Sequence, residues 1–191
     1  MSDLEAFGFG LLLGFSLTIP PGPMNALIAS LSVRSWRAGF VTGLGAGSAD
    51  LVLGGLVYGL RSTVDLAAYL RIIYVLGAVV IAYVGYRLWV HRADPAPPVE
   101  DSVRTFSQAL GVGVSNPVQI AWWLTAGLAF AYLGGLVLFG GIFAAILVWI
   151  VVFPTALHHG SRRYPALRTA VTAVSCAMLV GFAAYFVYLA L

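Results

Sequence analysis

Long charge-free intervals constrain this chain more than any other feature of its sequence. They cover residues 6–33, 38–60 (interrupted by Asp50), 72–86, 105–157 and 169–191. A helix crosses the hydrocarbon core of a bilayer in roughly 20 residues, so intervals of this length and apolarity are membrane spans. The composition leaves no soluble alternative: 61% of residues are hydrophobic and 9% are charged, against roughly 25% charged in soluble domains. A water-facing surface cannot be built from such a chain.

The 105–157 interval is long enough for two crossings, and Gly134-Gly135 is a natural place to turn. The 72–86 interval is short, but Arg71 and Arg87 can snorkel outward and extend that helix to 66–90. The expected fold is therefore an all-α polytopic membrane protein with six transmembrane helices. Eight of the ten arginines fall in the first, third and fifth connections: Arg34 and Arg37; Arg87, Arg92 and Arg104; Arg162, Arg163 and Arg168. The positive-inside rule places those connections in the cytoplasm and both termini outside, in a cell (inner) membrane. Because the arginines sit at the ends of apolar segments, the net charge of +3 is not a nucleic-acid footprint. Asp3 and Glu5 stand where a signal peptide carries basic residues, so the first apolar segment reads as a mature helix. Cys176 is the only cysteine, which rules out an intrachain disulfide, and it reads as a small apolar packing residue.

The chain also repeats itself. At an offset of 97 residues, Phe9 aligns with Phe106, Leu13 with Leu110, Gly14 with Gly111, Thr18 with Ser115 and Pro20 with Pro117. The polar, proline-rich stretch 93–104 separates two halves, 1–92 and 105–191, of three spans each. An odd number of spans per half inverts the second half relative to the first, giving two inverted three-helix repeats.

Chemistry concentrates where the spans are damaged. In Thr18-Ile19-Pro20-Pro21-Gly22-Pro23-Met24-Asn25, three prolines within four residues cannot continue a helix. Ser115-Asn116-Pro117 is a milder break at the matching place, so helices 1 and 4 are expected to be proline-broken. Broken helices at matching positions of two inverted halves mark a substrate site; the plain alternative is a pair of kinks. Asp50 is the one acid well inside a span, with no basic residue at comparable depth. Such a residue marks an ion or proton pathway, accepting a proton, a sodium ion or a substrate ammonium; the alternative is a protonated bridge to Ser48 or Thr42. The candidate binding residues are Thr18, Pro21, Gly22, Pro23, Asn25, Asp50, Ser115, Asn116, Pro117 and Gln119, with Asp50 also the candidate coupling group. Trp122 and Trp123 could wall an apolar pocket, with interfacial anchoring expected of at least one. Gly39, Gly43 and Gly47 share a helix face and read as close helix packing. His158-His159 beside Arg162 and Arg163 read as a solvated basic loop.

These residues resemble the LysE-type superfamily of lysine and homoserine/threonine exporters. Its Pro-Gly-Pro signature matches Pro21-Gly22-Pro23, its Asn-Pro signature matches Asn116-Pro117, and a Gly-Ala pair with a later glycine matches Gly77-Ala78 and Gly85. The family commonly carries lysine after Asn-Pro; here that position is Val118. The resemblance implies a secondary transporter that exports amino acids or close derivatives, driven by proton exchange; the two inverted halves add the expectation of alternating access. The alternative is a metal or inorganic-ion transporter of the same superfamily, for which one intramembrane carboxylate and one cysteine offer thin ligation. No enzymatic chemistry is expected: a retinal Schiff base needs a lysine, a disulfide conduit needs two cysteines, and a zinc protease needs paired intramembrane histidines. Neither a cofactor nor a resident metal is implied. The expected partners are an amino acid, a proton or sodium ion, and lipid, and a bundle with so little interior suits a homodimer.

Overall fold

A computed structural model describes residues 2–60, 70–90, 102–124 and 128–190. The expected linker 93–104 falls largely outside the described residues, as does the start of the expected 66–90 helix. Every described element is a helix: α1 (Asp3–Thr18), α2 (Pro23–Ser32), α3 (Trp36–Leu60), α4 (Leu70–Val90), α5 (Ser102–Val114), α6 (Pro117–Trp122), α7 (Leu128–Arg163) and α8 (Pro165–Ala190). Among these residues, Trp36–Gly59, Gly135–Arg163 and Pro165–Tyr188 are each long and apolar enough to cross a membrane. A fourth candidate is the pair α1 and α2, bent by 77° at the break between them.

Local chemistry sets the helix ends. The Ser2 hydroxyl accepts from the Glu5 amide and the Glu5 carboxylate accepts from the Ser2 amide, a reciprocal cap that starts α1. Asp3 and Glu5 then face the positive end of the helix dipole. Gly135 is non-helical (φ 55, ψ −148), a conformation open to glycine because it lacks a Cβ. The sequence expects a turn at this same place.

Small residues let the backbones meet, the substitute for hydrophobic drive between helices in lipid. Gly10 and Gly14 of α1 abut Leu138, Gly141, Ile142 and Ala145 of α7. On the other side of the molecule, Gly45 and Ala49 of α3 abut Ala109 and Gly113 of α5. The glycine face of α3 seats two partners: Gly39 lies on Ser32 of α2, and Gly43 and Gly47 lie on Ile146 and Ile150 of α7. A third set joins α4 to α8 through Ile81, Leu88, Leu179, Ala183 and Phe186, with Cys176 buried among them.

One expectation needs correcting. His158 and His159 do not form a solvated loop; they lie in the last turns of α7. His158 Nδ1 is 3.1 Å from the Ser32 carbonyl, and the Ser161 hydroxyl donates to the Val33 carbonyl at 3.2 Å. Trp36 Nε1 donates to Thr155 Oγ1 at 2.8 Å. The end of α7 thus satisfies carbonyls that α2 leaves at its C-terminus.

A methyl added at Gly141 would meet the Phe7 carbonyl and Gly10 Cα, both backbone, whereas one at Gly140 would meet nothing within 4 Å. Gly141→Ala is expected to lower stability by about 1–3 kcal/mol, read as thermal unfolding in detergent, while Gly140→Ala leaves it unchanged. Equal effects would contradict the α1–α7 contact.

Candidate functional site

The first break follows from hydrogen-bond supply. In a continuous helix the carbonyls of Ser16, Leu17 and Ile19 would accept from residues 20, 21 and 23, all of which are prolines. α1 therefore ends at Thr18, and α2 restarts with Pro23 at its first position behind an extended Gly22 (φ −159, ψ 174). Asn25 repairs the gap. Its amide donates to the Thr18 carbonyl and, at 2.9 Å, to the Pro20 carbonyl. Its own oxygen accepts from Trp149 Nε1 of α7 at 3.1 Å.

The second break is shorter because Pro117 removes only one donor. The Gly113 carbonyl accepts instead from the Asn116 amide at 3.1 Å, and Asn116 Oδ1 caps α6 by accepting from the Val118 amide at 3.2 Å. Ser115 and Asn116 separate α5 from α6, whereas Ile19 to Gly22 separate α1 from α2. The constant offset of 97 pairs Pro117 with Pro20, but the helices restart on Pro23 and Pro117; the unequal breaks shift the register.

The two breaks open onto one cavity of about 100 Å³. Thr18, Pro21, Gly22, Pro23 and Asn25 line it from the first break, and Asn116 and Gln119 from the second. Asp50 lines it from α3. Ser115 and Pro117 are not among its lining residues. The Ser115 hydroxyl donates to the carbonyls of Gly111 (2.8 Å) and Val112 (3.2 Å), and Pro117 is fully buried at the head of α6. The Thr18 hydroxyl donates to the Gly14 carbonyl at 3.0 Å, within α1.

Asp50 is 5% exposed and is held by the second half of the chain. Its Oδ1 accepts from Trp123 Nε1 at 2.8 Å, and Gln119 is a second side-chain hydrogen-bond partner. Gln119 also reaches the Ala46 carbonyl at 3.4 Å. A carboxylate offers about four acceptor positions, so these partners do not exhaust it. The Thr42 bridge considered from the sequence is not used, since that hydroxyl donates to the Ala38 carbonyl at 2.7 Å. Trp123 is fully buried, stacked on Phe139 and Phe143, and is not an interfacial anchor.

At the head of α2 no side chain caps the helix, and its first internal bond runs from the Ala26 amide to the Gly22 carbonyl. The amides of Met24 and Asn25 are thus the orphan donors of the first turn, at the positive end of the helix dipole, beside the cavity. No cationic side chain lines the cavity among the described residues. Nor do three or more His, Cys, Asp or Glu residues gather anywhere among them.

Sequence reasoning missed Ile146, Trp149 and Ile150, all of which line the cavity. Ile146, Trp149 and Ile150 have helical spacing on α7, but α7 is apolar all round, so periodicity singled out no face. Val118, where the resembled family carries lysine, also lines the cavity.

A family model for LysE type translocators matches residues 15–190. The chain is similar to a Bacillus subtilis protein named "Putative amino acid efflux protein YcgF", 28% identical over 195 residues, with 93% of each chain covered. No solved structure matches the chain.

Trp123→Phe keeps one aromatic ring and removes the indole N–H that donates to Asp50. It is expected to lower stability by about 1–3 kcal/mol, and by clearly less when Asp50→Leu is already present. Thermal unfolding of the two single variants and the double variant measures this; additive losses would contradict the hydrogen bond.

Proposed function

The chain belongs to the LysE type translocator family, and from that membership and the cavity between its two helix breaks we propose that it exports an amino acid across the cell membrane. The observation that carries this reading is the cavity itself. It is lined by both proline breaks, by the orphan amides at the head of α2, and by a buried carboxylate on α3. A zwitterion fits these groups: its carboxylate at the positive end of α2, its ammonium at Asp50.

The proposed architecture is two inverted three-span halves, residues 1–92 and 105–191, joined by the stretch 93–104, with both termini outside. Reciprocal packing supports it: α1 lies on α7 as α5 lies on α3, while α4 lies on α8. α1 with α2 corresponds to α5 with α6, α3 to α7, and α4 to α8. Alternating access then follows from rocking one half against the other around a fixed site. Asp50, held by Trp123 and Gln119 of the opposite half, exchanges the substrate ammonium for a proton and so couples the transported charge to the contact between halves.

Purified protein in liposomes loaded with labelled amino acids tests this. Efflux is expected to rise when the outside is acidified, because an incoming proton drives the exchange. Asp50→Asn is expected to cut transport by at least about 10-fold and to abolish the response to the pH gradient. Full-rate, pH-driven efflux by Asp50→Asn would remove this residue from the mechanism.

A further inference from the structure

The cavity has two chemically different regions, and their order along α3 assigns them. Gly43, Gly47 and Asp50 line it from one face of that helix, spanning about 10 Å at 1.5 Å per residue. Asp50 and its partner Gln119 mark one end. Toward the other end α3 offers only the Ala46 methyl, and α7 packs on its glycines: an added methyl at Gly43 would lie 3.1 Å from Ile150 Cγ2, and one at Gly47 would lie 2.8 Å from Ile150 Cδ1 and 3.1 Å from Ile146 Cγ2. Ile28 of α2 lines the same cavity. This end is aliphatic, with Ile146 and Ile150 seated directly on the glycines of α3 and Ile28 beside them.

Charge narrows the occupant further. Among the described lining residues Asp50 is the only ionisable group, and Val118 puts an isopropyl group where the family carries lysine. A substrate whose side chain bears a second positive charge would find no second acid, and one bearing a negative charge would find no base. Either would bury an uncompensated charge.

The geometry points to a neutral amino acid with a branched or straight aliphatic side chain as the substrate, its side chain against Ile28, Ile146 and Ile150 at the end of the cavity away from Asp50, with these isoleucines setting its size limit. This rests on the amino-acid export reading above and names the substrate class of that same cavity.

The test is counterflow in liposomes with labelled valine, leucine, isoleucine, alanine, lysine, arginine and glutamate. The aliphatic set is expected to exceed the charged set by about 100-fold. Lysine, arginine or glutamate carried as well as leucine would overturn this inference and leave amino-acid export standing; no amino acid carried at all would overturn both. Gly47→Ala meets the Ile150 Cδ1 tip and the Ile146 Cγ2 methyl, displaces these isoleucines, and is expected to lower leucine and isoleucine transport about 10-fold relative to alanine. Ile150→Ala is expected to shift preference the opposite way, toward bulkier side chains. Unchanged ratios in both variants would overturn the role of the isoleucine wall.

Discussion

Backbone hydrogen bonding is the constraint on which the rest of this structure depends. In hydrocarbon an unsatisfied peptide group costs several kcal/mol, so a spanning helix can be interrupted only where other protein groups take over. Pro20, Pro21 and Pro23 withdraw three donors within four residues, and the chain answers with Asn25, whose side-chain amide serves the Thr18 and Pro20 carbonyls together. Trp149 then fixes Asn25 from α7. The break is therefore a braced feature, and the brace comes from the helix that closes the cavity on the opposite side.

The same economy governs Asp50. A carboxylate buried without partners would be costly, yet this one receives an indole N–H from Trp123 and an amide from Gln119, both at or just beyond α6. Each break is thus tied to the long helix across from it, the first through Asn25 to α7 and the second through Trp123 and Gln119 to α3. Glycine and alanine contacts between α1 and α7, and between α3 and α5, bring these elements close enough for such ties. Close packing and the cavity share one helix face: the glycines of α3 that admit α2 at Gly39 admit α7 at Gly43 and Gly47, and the isoleucines they seat wall the cavity.

What could be read beforehand followed from contrast. Charge-free intervals revealed apolar helices because arginines punctuate them, and the breaks were visible because proline cannot donate. Asp50 stood out as a lone acid. The role of Trp149 was hidden because α7 is apolar around its whole circumference, and that of Trp123 as a donor to Asp50 because the indole N–H had no sequence-visible partner. His158 read as loop because its neighbours are basic, whereas α7 continues to Arg163 and uses that histidine against the end of α2. Ser115 and Pro117 lay in the right segment, but the Ser115 hydroxyl bonds its own helix and Pro117 is buried at the head of α6.

The central claim is that the two breaks share one cavity, and thiol chemistry in membranes reaches it most directly. Pro21→Cys and Val118→Cys, introduced together with Cys176→Ser, place one thiol on each break at the cavity lining. A short bifunctional thiol reagent is expected to join the two positions within one chain, and a transported amino acid is expected to slow that reaction. If each single cysteine reacts but the pair never cross-links, the breaks do not meet and the account fails.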